Sequence, residues 1–335
     1  MNVVITGGSS LIGRSTIDLL CAREDHVATF QRHASADITK GVEQRLGDVT
    51  DRAAVFAATE GADAVIHLAA KVGVVGDRAG YAAVNVDGTA NVLDAVRVHG
   101  IERMVHVSSP SVAHDGAAII GGGADPAISA RSAGWYPETK AIAERAALAA
   151  NSPTTGVVVI RPHLVWGPGD TQLVGRIVER AAAGRLALVG GGRALIDTTY
   201  IDNAGSALVA ALDAVSPGAP CAGVPYVVAN GEPRPIRELV GGICAAAGVP
   251  FEPRDVPLGV ARRVGGVIDR VWPRLGRTDE PPLTRFLADQ LGTAHWFDPR
   301  PARRDLKWSP KVGIDEGLRR LTEWYASGRT EAPSR

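Results

Sequence analysis

The sequence predicts an α/β fold: a doubly wound parallel sheet with a smaller C-terminal domain. Three observations predict it. The chain opens with an apolar strand, a glycine-rich turn and an amphipathic helix. Short apolar runs then alternate with helical periodicity as far as residue 229, the rhythm of βαβ units. Beyond that point the rhythm stops, and short helices and proline-rich turns take over. The sheet domain is assigned residues 1–166 and 197–229, and the smaller, substrate-binding region residues 167–196 and 230–330.

Composition narrows the class. At 335 residues the chain is long for one core and suits two domains. Lys and Arg total 36 and Asp and Glu 36, so bulk charge gives no case for nucleic acid. Cys21, Cys221 and Cys244 are an odd set without CxxC spacing, which argues for reduced thiols in a cytoplasmic setting and against a disulfide framework or metal site. No long apolar run predicts a spanning helix, and a strand beginning at Asn2 leaves no room for a signal peptide.

Asn2-Val3-Val4-Ile5-Thr6 reads as a buried parallel strand, and Gly7 to Gly13 as the turn into a helix ending near Ala22. That context suits a dinucleotide: Gly7 for the tight turn, Gly13 for close packing, and the free amides of Ser10, Leu11 and Ile12 for a pyrophosphate. Ser10 stands where a glycine is usual, and a plain βα turn would share much of this pattern. The second strand runs from His26 to Phe30, followed by Gln31 and Arg32. An acidic residue there would bind the 2′-hydroxyl of NAD; Arg32 suits the 2′-phosphate of NADP, although a surface arginine would look the same.

A third strand, Val42 to Gly47, leads to Asp48 and Val49, placed to flank an adenine. A fourth, Ala64 to Leu68, runs into Ala69, Ala70 and Lys71, small residues that let a cofactor lie close and a lysine that is otherwise a loop residue. Asn85 opens a helix to about His99, and the fifth strand, Arg103 to Ser108, ends at Ser109. Residues 114–134 read as a loop over a pocket; Gly156 to Arg161 and Pro225 to Ala229 complete seven strands. Ligands of such sheets bind beyond the strands' carboxyl ends.

The chemistry centres on Trp135-Tyr136-Pro137-Glu138-Thr139-Lys140. With Pro137 in the first turn of a helix, Tyr136 and Lys140 share one face. A nearby ammonium is expected to lower the phenol's pKa from about 10 and make it an acid–base group near neutral pH. A solvated Tyr–Lys face would have the same spacing. Residues 258–275 read as an amphipathic helix in which Val260, Val264, Val267, Ile268, Val271 and Leu275 follow helical spacing while Arg262, Arg263, Arg270 and Arg274 supply charge; it suits a membrane surface or one face packed on the core.

Together these pieces resemble the extended short-chain dehydrogenase/reductases, in particular their 3β-hydroxysteroid dehydrogenase branch. The carrying residues are Thr6-Gly7-Gly8 with Gly13, Asp48-Val49, His67-Leu68-Ala69-Ala70, Asn85-Val86-Asp87-Gly88-Thr89, Val107-Ser108-Ser109, Tyr136 with Lys140, Arg161-Pro162, and Tyr200-Ile201-Asp202-Asn203. Within the branch the likeness is greatest to enzymes that reduce 2-alkyl-3-oxoalkanoic acids, and weaker to sterol-4-carboxylate dehydrogenases. The resemblance implies a Rossmann fold and a nicotinamide cofactor, NADP(H) preferred and NAD(H) also accommodated. It implies that Tyr136 moves the proton, Lys140 holds the cofactor ribose and Ser109 holds the substrate oxygen. It implies further cofactor contacts at Leu68, Ala69, Ala70 and Pro162, and a bulky lipid-like substrate near Lys71, Ser108, His163 and Tyr200. It also implies a homodimer, for which Ile142, Ala143, Ala146 and Ala147 offer small apolar surface. A sugar-nucleotide epimerase or dehydratase would use the same three residues, and a cofactor-bound scaffold without turnover would keep the fold alone.

Overall fold

The computed structural model describes residues 1–73, 76–128, 134–272, 281 and 283–328. In chain order they form β1 (Asn2–Thr6), α1 (Leu11–Ala22), β2 (His26–Gln31), β3 (Glu43–Leu46), α2 (Arg52–Thr59), β4 (Ala64–His67) and α3 (Arg78–Ala82). A π-helical turn, Ala83–Asp87, joins α3 to α4 (Gly88–Val98). There follow β5 (Arg103–Val107), β6 (Ile119–Gly122), α5 (Trp135–Ala149), β7 (Gly156–Pro162), β8 (Val165–Trp166), α6 (Val174–Ala182), β9 (Ala187–Val189), β10 (Leu195–Ile196) and β11 (Thr199–Tyr200). The chain continues through α7 (Ile201–Ala214), β12 (Pro225–Val228), β13 (Arg234–Pro235), α8 (Ile236–Ala246), β14 (Arg254–Val256), α9 (Leu258–Val271), α10 (Arg285–Gly292), β15 (His295–Phe297), α11 (Arg300–Asp305) and α12 (Ile314–Ala326).

The seven expected strands form one parallel sheet in the order β12-β7-β5-β4-β1-β2-β3. Side chains of a strand alternate between faces, so a strand covered on both sides is apolar throughout. In β1, Val3 and Ile5 join a core with Ile17 and Leu20 of α1 and Leu208 and Ala211 of α7. Val4 points the other way, into a core with Val55 of α2, Val92 of α4 and Ala147 of α5. The strand order reverses at β1, whose neighbours are β2 and β4, and a ligand crevice opens beyond such a switch point.

A second sheet, ordered β13-β10-β15-β6, was not expected. It corrects the reading of residues 114–134 as loop: β6 lies inside that stretch and pairs in parallel with β15, from the far end of the chain. Two further corrections concern surfaces. Ala143 and Ala147 are fully buried within the chain, so only Ile142 and Ala146 remain of the patch expected to pair two copies. Helix α9 packs on α10 through its small residues, Ala261 and Gly265, and leaves Val260, Val264, Val267 and Val271 exposed at 41–58%. Among the described residues no helix is long and apolar enough to cross a membrane.

Helix α5 is fixed to the sheet by a buried ion pair. Arg161 of β7 donates from Nε to Glu144 Oε2 at 2.9 Å and from Nη2 to Oε1, and both side chains are inaccessible. Its Nη1 donates to the Asp125 carbonyl at 2.9 Å, holding the segment after β6. Removing one partner strands a buried charge. Glu144→Ala is therefore expected to lower unfolding free energy by about 3–5 kcal/mol, read by urea denaturation; a loss below about 1 kcal/mol would contradict this account.

Candidate active site at the carboxyl edge of the sheet

The turn after β1 is shaped by close approach. Gly7 has φ 72°, and a Cβ there would lie 2.9 Å from the Ala69 amide nitrogen. Glycine alone lets the turns after β1 and β4 nest this way. Ser10 caps α1: its Oγ accepts from the Gly13 amide at 3.1 Å, with φ −65° and ψ 158°. This cap explains why a serine is tolerated at a glycine position. Among the described residues the amides of Leu11 and Ile12 have no protein acceptor, so the helix N-terminus presents two open donors.

Gln31 ties this turn to β2. Its Oε1 accepts from the Ser9 amide at 2.9 Å, while its Nε2 donates to the His33 carbonyl at 3.1 Å and to Gln44 Oε1 at 3.0 Å. Arg32, next along, is exposed and has no ion-pair partner among the described residues. Asp48 is held below its usual value chiefly by the Thr50 amide, with the Arg32 charge adding to the effect. Val49 is buried, and its carbonyl accepts from Asn91.

The Tyr136 helix begins as the sequence required. Gly134, at φ 94°, precedes it, and Pro137 falls in its first turn. The half-buried Tyr136 hydrogen-bonds through its hydroxyl to Ser109. Ser109 Oγ in turn accepts from the Ser111 amide at 3.2 Å and the Ser111 hydroxyl at 2.9 Å. Lys140, one helical turn on, donates from Nζ to the Val107 carbonyl at 2.6 Å.

The electrostatics differ from expectation. Tyr136 is raised above its usual value: burial dominates, the Ser109 hydrogen bond opposes it and Tyr81 adds to it. Lys140 is not among the groups that shift Tyr136: its ammonium is directed at the Val107 carbonyl, and it is itself pulled down to about 8 by burial, against the attraction of Glu144. Beneath it, buried His67 is pushed down to about 3, first by burial and then by the Lys140 charge. His67 bridges Thr6 Oγ1 at 2.6 Å and Thr89 Oγ1 at 3.0 Å.

The remaining expected residues divide. Leu68, Ala69 and Ala70 are half-buried beside the Gly7 turn, with the Ala69 amide donating to Thr6 Oγ1 at 3.2 Å. Pro162 is buried at the end of β7. Lys71 Nζ lies 5.0 Å from the centroid of the Tyr81 ring and has no carboxylate partner among the described residues. Ser108 is buried, and its Oγ has no hydrogen-bond partner among the described residues. His163 is buried, its Nδ1 bonded to the Asp197 carbonyl and its ring edge-on to Phe297. Tyr200 is not brought to Ser109 and Tyr136; it packs on Trp166, within reach of Arg320, and burial raises it to about 12.

One residue was undervalued. Buried Asn85 accepts from the Lys71 amide at 2.7 Å and donates to the Lys71 carbonyl at 3.1 Å and Thr139 Oγ1 at 3.0 Å. It locks the turn after β4 to the helix of Tyr136. Its signal was present, an asparagine ahead of Gly88 and Thr89, but read only as a helix start.

The sheet order and glycine turn define a Rossmann fold of the extended short-chain dehydrogenase/reductase kind. The UDP-glucose 4-epimerase of Thermus thermophilus, solved with NAD, superposes with a TM-score of 0.70 at 24% identity, covering 97% of this chain and 99% of that one. The chain is 47% identical to a 2-alkyl-3-oxoalkanoate reductase of Stenotrophomonas maltophilia, over 96% of this chain and 98% of that protein. It is 36% identical to a protein of the same name from Shewanella oneidensis, over 95% and 84%. Residues 4–256 match the 3-beta hydroxysteroid dehydrogenase/isomerase family, and the chain belongs to it. It is an oxidoreductase of a family acting on CH–OH groups.

The assignment of Ser10 to helix capping is testable. Ser10→Ala is expected to cost about 1 kcal/mol of stability, and Ser10→Gly only a few tenths. Cofactor dissociation constants should stay within about threefold in both, a change of about 0.7 kcal/mol or less. A tenfold weakening in Ser10→Gly with unchanged stability would show that the hydroxyl serves the ligand.

Proposed function

We propose that the protein uses NADPH to reduce the 3-oxo group of 2-alkyl-3-oxoalkanoic acids. The observation that carries this reading is the Ser109–Tyr136 hydroxyl pair beside the glycine turn, with Lys140 anchored one helical turn away. The near full-length similarity to a reductase of that name supports the substrate.

The chain's residues fit a nicotinamide dinucleotide. Among the described residues the Leu11 and Ile12 amides have no competing acceptors and can meet a pyrophosphate, and the small residues after β4 pack directly against the Gly7 turn. Lys140 would hold the ribose, Arg32 the 2′-phosphate, Asp48 and Val49 the adenine, and Leu68, Ala69, Ala70 and Pro162 the walls. When bound, the cofactor supplies the hydride. Ser109 holds the substrate oxygen, and Tyr136 gives it a proton. A phenol raised by burial stays protonated across the neutral range, the form a reduction needs. Lys71, whose ammonium lies 5.0 Å from the centroid of the Tyr81 ring and has no acidic ion-pair partner among the described residues, pairs with the substrate carboxylate. The exposed valines of α9, with Arg263 and Arg270 alongside, suit an anionic lipid surface from which such a substrate enters, which flotation with anionic vesicles tests.

Tyr136→Phe should lower turnover by at least ~100-fold while NADPH still binds, and near wild-type turnover would sink the reading. The acid form of Tyr136 and the cationic form of Lys140 both favour reduction, and both are lost as pH rises. Reduction should therefore fall above about pH 8, where Lys140 discharges. A rate that climbs through that range would contradict the assignment. Arg32→Ala should weaken NADPH by about tenfold, a loss of about 1.4 kcal/mol, and leave NADH unchanged. Equal loss for both cofactors would remove the specificity role.

A further inference from the structure

Three hydroxyls stand in a row just past the end of β5: those of Ser111, Ser109 and Tyr136. The short turn Pro110–Ala113 brings the two serines together. Ser109 precedes it in extended conformation, at φ −152° and ψ 146°, and its Oγ accepts from the Ser111 amide at 3.2 Å. Pro110 has no amide hydrogen, so that of Ser111 is the first the turn can offer. Such a contact is an ordinary way to start a helical turn and carries no chemistry by itself. The Ser111 hydroxyl does more. It donates to the same Ser109 Oγ at 2.9 Å, although capping needs only the amide. Ser111 is 5% exposed, and among the described residues its hydroxyl has no other partner. The turn itself is fixed, the Val112 amide donating to the Ser109 carbonyl at 3.2 Å and the His114 amide to the Ser111 carbonyl at 3.3 Å.

A hydroxyl oxygen carries one hydrogen and two acceptor sites. In Ser109 the amide and hydroxyl of Ser111 fill both sites. What remains is its own hydrogen, so Ser109 can only donate. Its other neighbour is the Tyr136 hydroxyl, to which it is hydrogen-bonded. The phenol oxygen is then the acceptor, and the phenol hydrogen stays available to the crevice. With one acceptor site of Ser109 open, the Tyr136 hydrogen could turn to that serine and be lost to the reacting oxygen. We propose that Ser111 is a positioning residue: it fills the acceptor sites of Ser109, so that the hydrogens of Ser109 and Tyr136 both serve the substrate oxygen. The proposal rests on the reading that these two hydroxyls meet that oxygen.

The order of the hydroxyls matters at the moment of transfer. On reduction the carbonyl π bond breaks, the carbon takes the hydride, and the oxygen takes the Tyr136 proton, which leaves a phenolate. The negative charge that builds on the oxygen is stabilised by donors already aimed at it; a donor that must first turn round contributes less. Ser109 is such a donor throughout, first to the carbonyl oxygen and then to the oxygen of the product. The two donations it receives also polarise its O–H and strengthen the bond it gives. The hydroxyl next along the chain does not disturb this order, since Ser108 Oγ makes no hydrogen bond to Ser109. Ser111 touches neither substrate nor cofactor and acts through Ser109 alone.

The test is Raman spectroscopy of the ligand-free protein at neutral pH, with the Tyr136 contribution taken as the difference from Tyr136→Phe. The intensity ratio of the tyrosine Fermi doublet separates a phenol that accepts a hydrogen bond from one that donates. Wild type should show an accepting Tyr136, and Ser111→Ala, which keeps the backbone amide, a donating one. Ser111→Cys, whose thiol is a weaker donor, should fall between the two. In a Ser109→Ala background, Ser111→Ala should change nothing further, because its effect passes through Ser109. In the oxidation of a racemic 2-alkyl-3-hydroxy acid with NADP⁺, Ser111→Ala should lower kcat about tenfold and leave KM within about twofold. The same Tyr136 signature in wild type and Ser111→Ala would overturn the proposal, as would an equal shift without the Ser109 hydroxyl. A raised KM with unchanged kcat would reduce Ser111 to shaping the turn and overturn it too. The spectra involve no substrate, so full turnover in Ser109→Ala would sink the functional reading and leave the hydroxyl order standing.

Discussion

The arrangement at the carboxyl edge depends on where the Lys140 ammonium is held. A lysine that is 4% exposed must satisfy its charge internally, and it does so on the carbonyl of Val107, the last residue of β5. That bond docks α5 against the strand end that leads to Ser109. Tyr136, one turn earlier on the same helix, then meets the Ser109 hydroxyl without further guidance. The same charge acts on the core beneath. His67 and His106 are both pushed down, first by burial and then by the Lys140 charge, which keeps these imidazoles neutral.

A second constraint comes from the same face of α5, one turn beyond Lys140. The Arg161–Glu144 pair joins it to β7 and, through the Asp125 carbonyl, to the segment leaving β6. Helix position, serine turn and C-terminal sheet are thus linked by buried polar contacts, which fix geometry where apolar packing alone tolerates sliding. Asn85 does the same on the side of Lys71, binding the turn after β4 to Thr139. Tyr136 therefore sits between three anchored segments, which is what a proton donor needs if the reacting oxygen is to be held within hydrogen-bond reach.

The main sheet was legible in the sequence because strands buried on both faces are continuous apolar runs, and all seven were placed. The second sheet was not. Its strands are two to four residues long, β6 contains two glycines, and β15 pairs with residues about 175 positions away, so no local period announces them. The Tyr136–Lys140 spacing was legible, but the sign of the tyrosine's shift was not, because spacing says nothing of where the ammonium points. Nor does helical periodicity say which side of α9 is inward: Ala261 and Gly265 allow close contact with α10, and the valines turn out.

The central claim is that Tyr136 is a protonated phenol held in a buried site with a carbonyl-bound lysine. It is tested most directly by carbon-13 NMR of tyrosine Cζ in the ligand-free protein, with the Tyr136 signal assigned through Tyr136→Phe. The account predicts that Tyr136 stays protonated through pH 9 and titrates above the ordinary tyrosine value of about 10. A phenolate signal appearing between pH 7 and 8 in the ligand-free protein would contradict it.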